Sequence, residues 1–249
     1  MQGIYLRDYE QTFRSSGGRL VSLLELETVV DFLEFPTDQL ILDVGTGTGR
    51  IARKLVALGN RVVGVDTNSS RLKLARAKMK DALGEKAHLY DVVVADGQHL
   101  PFKEQVFDSI VCLRVLKYFE DYKLALKDFV RTLKNRGTCC VEFSSIFGYE
   151  ALLLFLYRVS SRDYACNMGS SYQLFNMFEV KNSLRDVNLV ISKSIGWHRI
   201  PTIFFIKCKN RLLSKILFYL ETALAKILPS IVSSRGILIK CELRTLPNE

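Results

Sequence analysis

The chain has 249 residues, 48% of them hydrophobic and 24% charged, which is long enough for one large domain with insertions and too apolar for extensive disorder. Its formal net charge of +9 is uneven: from Lys181 onward 12 Lys and Arg face 4 Asp and Glu, so the first 180 residues are nearly neutral. A basic C-terminal part points to an anionic partner (a phosphorylated substrate, a membrane surface or RNA) or to cations that only keep the chain soluble.

In chain order, Tyr5, Tyr9 and Phe13 lie at a spacing of four, one face of a helix, before Ser15-Ser16-Gly17-Gly18 marks a break. Such a helix is either a lid or an aromatic stripe packed on the core. A second amphipathic helix runs from Leu20 to Phe35 and is closed by Pro36. Gln39 to Val44 then reads as a buried parallel strand, since a strand covered on both faces shows a continuous apolar run. It ends at Asp43-Val44 and gives way to Gly45-Thr46-Gly47-Thr48-Gly49, where glycines permit positive φ and close approach of a ligand. The run Arg50 to Leu58 has helical spacing, so the loop opens a helix with free N–H groups facing the ligand.

The dinucleotide fingerprint is G-x-G-x-x-G, with a pyrophosphate on the helix N-terminus. Here the glycines run G-x-G-x-G behind the acid Asp43, which suits an ammonium or sulfonium better than an anion. A second strand, Val62 to Asp66, ends in an acid 17 residues after Gly49, where a ribose-binding carboxylate is expected. The competing reading of Asp66 is a cap for the helix Arg71 to Leu83, for which Asn68 or Ser69 serves as well. A third strand, Leu89 to Val94, precedes Ala95-Asp96-Gly97-Gln98-His99-Leu100-Pro101-Phe102. An acid followed by glycine at a strand end can read an adenine, the carboxylate accepting from the exocyclic amine. Phe107 to Leu113 and Gly137 to Phe143 are the fourth and fifth strands, joined by the helix Tyr122 to Leu133. Strands alternating with helices define an α/β, doubly wound, Rossmann-like sheet with its ligand at the carboxyl edge.

Six cysteines show no C-x-x-C and no metal-ligand spacing with the three histidines, so no metal site is expected. Adjacent Cys139 and Cys140 should point to opposite faces of a strand, and Cys112, Cys139 and Cys140 should be buried as small hydrophobes. Without a secretory signal, a reducing cytoplasmic setting is the simplest reading.

Leu42-Asp43-Val44-Gly45-Thr46-Gly47-Thr48-Gly49 resembles motif I of class I S-adenosylmethionine-dependent methyltransferases, and Ala-Asp-Gly-x-x-Leu-Pro-Phe resembles the small-molecule (type 11-like) branch of that family. The resemblance covers residues 37–143. It implies S-adenosyl-L-methionine as cofactor, with Asp43, Gly45, Thr46, Gly47 and Gly49 around the methionine part. Asp66 and Thr67 would meet the ribose, Asp96 and Gly97 the adenine, and Leu113 would add a backbone contact. It further implies a sixth strand and an antiparallel seventh, placed at Leu189 to Trp197 and Gly236 to Leu243. The expected organisation is an N-terminal helical lid over 1–36 and a methyltransferase domain over 37–249, with aromatic cap insertions at about 146–176 and 199–235.

Transfer from a sulfonium leaves a neutral thioether, so positioning and desolvation dominate. Removal of an acceptor proton calls for a base, and the candidates are Tyr118, Tyr149, Tyr172, His198 and Glu142. Many relatives carry a histidine where this chain has Tyr118. The loop after the fourth strand lacks Asn/Asp-Pro-Pro-Tyr/Phe, and no pair of glutamates flanks a methionine. Both absences favour a small-molecule, lipid/quinone or sugar acceptor over nucleic acid or protein. In residues 212–231, Leu212, Leu213, Ile216, Leu217, Leu220, Leu224, Ile227 and Leu228 share one helical face, with Lys215 and Lys226 off it. That face either meets a membrane interface or, as the commoner case, packs on the lid's own core. Two other readings are a non-catalytic cofactor-binding scaffold and an NAD(P)-dependent dehydrogenase, which the glycine spacing and Asp43 oppose. The oligomeric state is not encoded in any recognisable pattern.

Overall fold

The computed structural model describes residues 16–148, 173–197, 200, 210–227, 234 and 236–244. A seven-stranded sheet forms the centre: β1 (Leu40–Val44), β2 (Arg61–Asp66), β3 (Tyr90–Val94), β4 (Phe107–Cys112), β5 (Leu133–Ser144), β6 (Leu189–Trp197) and β7 (Gly236–Leu243). Their order is β3-β2-β1-β4-β5-β7-β6, with β7 antiparallel to both neighbours and the first five strands parallel. The doubly wound sheet expected from the sequence is therefore present, and the sixth and seventh strands begin and end where they were placed. From β1 the chain winds outward through β2 to β3 and then returns to β4 on the other side of β1. The loops after β1 and β4 consequently part, and the crevice between them is where a doubly wound sheet binds its ligand.

Six described helices cover the sheet: α1 (Ser16–Phe32), α2 (Arg50–Ala57), α3 (Ser69–Leu83), α4 (Tyr122–Thr132), α5 (Met177–Asp186) and α6 (Arg211–Ile227). On one face Val29, Phe32 and Leu33 of α1 and its C-terminal extension join Ile51, Leu55 and Val56 of α2 and Ala75 and Met79 of α3 over Ile41, Val111 and Cys140. On the other, Leu126 and Phe129 of α4 and Val180 and Leu184 of α5 lie over Leu42, Ile110 and Val141. Cys139 and Cys140 fall in opposite clusters, as the strand period requires, and both thiols are buried. Fully buried Asn60 ties the approach to β1: its Nδ2 donates to the carbonyls of Pro36 (2.8 Å) and Leu55 (3.0 Å), and its Oδ1 accepts from the Gln39 N–H (3.1 Å).

Two local expectations need correction. The helix expected from Leu20 is helical from Ser16, the first described residue, so Gly17 and Gly18 lie within it rather than in a break. Glycine costs only about 1 kcal/mol in a helix, and Gly18 is buried, so packing decides. The second correction concerns α6. Its leucine face is only partly covered among the described residues: Leu212, Leu213, Ile216 and Leu220 are exposed and Leu217 and Leu224 half-buried, while the fully buried side chains are Ser214 and Glu221. Glu221 Oε2 accepts from the Ile200 N–H (2.9 Å) and Ser214 Oγ donates to the Asn210 carbonyl (3.0 Å), while the helix lies against α1. Among the described residues no helix is long and apolar enough to cross a membrane. The expected N-terminal aromatic stripe lies outside the described residues, and so do 149–172 of the first expected insertion. Of the second insertion, residue 200, residues 210–227 and residue 234 are described.

Candidate functional site

The glycine loop closes on itself and on β2. The N–H groups of Gly45 and Thr46 both donate to the Val65 carbonyl (2.7 and 2.9 Å), and Gly49 N–H returns to the Thr46 carbonyl (2.9 Å). Gly45, Gly47 and Gly49 have φ of 70°, 56° and 74°, the left-handed region that disfavours side chains. Their surroundings differ. A Cβ on Gly45 would lie 2.1 Å from Val115 Cγ2, so this position is filled by the loop after β4. A Cβ on Gly47 would meet only the Gly45 carbonyl, at 3.9 Å. The middle of the loop thus opens onto space that a ligand can enter.

Three carboxylates stand at the carboxyl ends of adjacent strands. Asp43, in β1, is 3% exposed and accepts from Thr46 Oγ1 (2.7 Å). Burial pushes its carboxyl up to about 6, against the opposing pull of the Thr46 hydroxyl and Arg50. Asp66, ending β2, accepts the Gly47 N–H through Oδ2 (3.1 Å) and the Asn68 N–H through Oδ1 (2.8 Å), so it orders the loop it adjoins. The helix cap is Asn68, whose Oδ1 accepts from the Arg71 N–H (3.0 Å), and Asp66 is not spent on that role. Asp96, two residues past β3, accepts from the N–H (2.9 Å) and side-chain amide (3.1 Å) of Gln98.

Gly97 is packed to the limit: a Cβ there would lie 2.6 Å from Phe119 Cζ and 2.7 Å from Val44 Cγ1. The Leu100-Pro101-Phe102 end of the same segment is clamped by α4. Asp128 accepts the Leu100 N–H (2.5 Å), and Arg131 donates to the carbonyls of Leu100 (2.9 Å) and Phe102 (2.6 Å). Leu113, directly after β4, is buried beside the crevice. Thr67 follows Asp66 at the same edge. Of the suggested bases, Tyr118 is 53% exposed in the turn after β4, with Lys117 Nζ 5.4 Å from its ring centre, and Glu142 lies buried in β5. Tyr149, Tyr172 and His198 lie outside the described residues.

Four further side chains shape the loop from beneath or behind. Tyr90, at the start of β3, places its hydroxyl 3.1 Å from Thr46 Oγ1, and burial raises its phenol well above the ordinary value. A Cβ on Gly64 would lie 2.5 Å from that hydroxyl, so glycine in β2 makes room for it. Glu25 of α1 is 1% exposed and bridges two arginines. Its Oε2 meets Arg50 (2.7 Å), the first residue after the glycine loop, and its Oε1 meets Arg114, which follows Leu113. The bridge ties the N-terminal helix to both walls of the crevice. A sequence signal for it exists in retrospect: Val21, Glu25 and Val29 fall at a spacing of four, which puts one acid on a buried stripe.

Residues 42–141 match the model of the family described as Methyltransferase domain. Over these residues the chain is similar to methyltransferase domains. Over 111 residues the chain is 33% identical to a ubiquinone/menaquinone biosynthesis C-methyltransferase of Wigglesworthia glossinidia brevipalpis, covering 43% of this chain and 44% of that protein. It is 31% identical over 111 residues to a demethylmenaquinone methyltransferase of Thermotoga maritima, covering 44% and 45%. The matched region thus spans less than half the length of these curated relatives. Among solved structures, an S-adenosylmethionine-dependent methyltransferase of Thermotoga maritima has a TM-score of 0.66 at 18% identity, covering 98% of this chain and all of the other. The magnesium protoporphyrin IX methyltransferase of Synechocystis with bound S-adenosylhomocysteine has a TM-score of 0.64 at 14% identity, covering 92% and 86%. At these identities the likeness is one of fold, and it extends beyond the segment matched in sequence.

Proposed function

We propose that this chain transfers a methyl group from S-adenosylmethionine to a small-molecule acceptor, with a reduced quinone as the acceptor class to test first. The observation that carries the reading is the row of three acids, Asp43, Asp66 and Asp96, at the carboxyl ends of neighbouring strands around one open glycine loop. A ligand lying along that row would meet three carboxylates and no built phosphate site, which suits a cationic amino acid joined to a nucleoside. Asp43 and the backbone of Gly45, Thr46, Gly47 and Gly49 would hold the methionine end, Asp66 with Thr67 the ribose, and Asp96, Gly97 and Leu113 the adenine. The same row argues against a dinucleotide, whose pyrophosphate would face Asp43.

Bound there, the sulfonium would supply the methyl group in an in-line displacement. The chain's own work is to hold the cofactor, orient the acceptor and exclude water. The quinone class is favoured by the names of the relatives that match over the glycine-loop region. Incubating the purified chain with methyl-labelled S-adenosylmethionine and a reduced naphthoquinone tests the reading. Labelled product supports it, and cofactor binding without turnover on any acceptor would favour the scaffold alternative.

A membrane surface is a second proposed partner, because the exposed face of α6 carries Leu212, Leu213, Ile216, Tyr219, Leu220 and Ile227 in a basic part of the chain. Such contact would place the protein at the cytoplasmic side of a bilayer, where an apolar acceptor is dissolved. Flotation with anionic vesicles tests it: the wild type should rise with the lipid, and a Leu212→Glu, Ile216→Glu variant should stay behind.

A further inference from the structure

One buried acid at this edge makes no hydrogen bond to the glycine loop among the described residues. Glu142 lies near the carboxyl end of β5 and is 6% exposed, and its Oε2 has no hydrogen-bond partner among the described residues. Leaving a carboxylate oxygen buried and unpaired is costly, so natural chains seldom keep one without a use. Its place in the sheet suggests the use. Asp43 pairs in register with Val111, and Val111 with Cys140, so Glu142 stands two residues further toward the carboxyl edge, opposite Leu113. It shares the sheet face of Val111, Leu113 and Trp197, the face on which α1 lies. Strand spacing and rise put it on the order of 10 Å from Asp43, past the proposed adenosyl site and on the acceptor side.

Both acids press on the thiol of Cys112 between them, which burial in the first place and then Asp43 and Glu142 push upward. β7 leaves the carboxylate room. A Cβ on Gly236 would lie 2.4 Å from Glu142 Oε1 and 3.0 Å from Trp197 Nε1, so any larger residue would intrude there.

We infer that Glu142 is the acceptor-binding group of the site, taking the hydrogen bond, and in transfer the proton, of a hydroxyl-bearing acceptor. This rests on the methyl-transfer reading above. In the step, the acceptor oxygen, or a ring carbon made nucleophilic by loss of the hydroxyl proton, forms the bond to the methyl carbon. The sulfur–carbon bond breaks with its electron pair left on sulfur, and the hydroxyl proton passes to Glu142; where a ring carbon is methylated the first product is the keto tautomer, and its ring C–H bond then breaks as oxygen regains a proton. An acceptor presenting an anion at this point would be repelled.

The test uses the full chain with S-adenosylhomocysteine present and 1-naphthol and 1-methoxynaphthalene as calorimetric probes, in wild type, Glu142→Gln and Glu142→Leu. Wild type should prefer the naphthol to its ether by at least about tenfold, since a site built for a hydroxyl rejects the analogue that lacks it. Both variants should lose most of that preference and keep their affinity for S-adenosylhomocysteine. Glu142→Leu should melt no lower than wild type and by about 2–4 °C higher, because a buried carboxylate oxygen without a partner among the described residues is removed. A lower melting temperature for Glu142→Leu, or a preference that survives in both variants, would overturn the role of Glu142 and leave methyl transfer standing. Failure of the wild type to bind S-adenosylhomocysteine would overturn the methyl-transfer reading and the role of Glu142 with it.

Discussion

The bridge at Glu25 makes a demanding prediction about what holds the site together. Its carboxylate is 1% exposed, while the Arg50 and Arg114 side chains it joins are 16% and 14% exposed. Removing one partner of a buried ion pair costs about 3–5 kcal/mol, because the remaining charges lose their compensation. Both guanidinium groups retain some solvent, so the lower end applies, about 3 kcal/mol for Glu25→Ala. For a chain of this size each kcal/mol moves the melting temperature by about 2–4 °C, which gives a fall on the order of 10 °C. Glu25→Gln keeps the shape and one acceptor and should lose about half as much. A thermal melt followed by circular dichroism reads the effect, and a Glu25/Arg50 double-mutant cycle should return a coupling above about 1 kcal/mol. A loss below about 2 °C for Glu25→Ala would refute the idea that this bridge fixes α1 to the two crevice loops.

Other outcomes follow from the loop itself. Asp66→Ala should weaken S-adenosylmethionine binding by about 1.5–3 kcal/mol, roughly 10- to 150-fold by calorimetry, the range for a hydrogen bond to a charged group; unchanged affinity would remove the ribose role. Gly45→Ala should abolish measurable binding or folding, since its Cβ would collide with Val115 Cγ2, and Val115→Ala in the same chain should restore part of the loss. The φ of +70° at residue 45 should keep that rescue incomplete. Asp43 titrates near 6 in the fold against an ordinary 3.8, so the folded state binds more protons than the unfolded between those values. Stability contributed by this group therefore falls as pH rises from about 4 to 6 and levels off above; Asp43→Asn should flatten that slope in urea titrations and stabilise the unliganded chain by about 3 kcal/mol at pH 7. Wild-type affinity for the cationic cofactor should rise over the same window as Asp43 ionises.

Most of the sheet was legible because a parallel strand buried on both faces writes itself as an apolar run, as in β1 and β2, while edge strand β3 keeps its valines with only Tyr90 buried; the three runs lead into the acids of the candidate site, Asp43, Asp66 and the Asp96-Gly97 pair. The sixth and seventh strands were placed through resemblance, and the structure puts them at Leu189–Trp197 and Gly236–Leu243. What the pattern missed depends on partners distant in sequence. Glu25 looks like one acid among leucines until Arg50 and Arg114 fold against it, and Tyr90 looks like a strand residue until Gly64 opens the space for its hydroxyl under Thr46. On α6 the hydrophobic stripe was visible in the sequence, which left open whether it meets a membrane interface or the lid's own core; in the structure Leu212, Leu213, Ile216 and Leu220 are exposed, and Leu217 and Leu224 are half-buried. Periodicity reports that one face is apolar, while the inward hydrogen bonds of Ser214 and Glu221 decide which face the fold covers.

The most direct test of the account is calorimetric titration of the purified chain with S-adenosylmethionine, with S-adenosylhomocysteine and NADH run in parallel. Binding of both adenosyl ligands in the micromolar range, with no heat from NADH, is the predicted result, and it would place the cofactor on the row formed by Asp43, Asp66 and Asp96. A folded sample that binds neither adenosyl ligand would contradict the claim that this glycine loop holds S-adenosylmethionine.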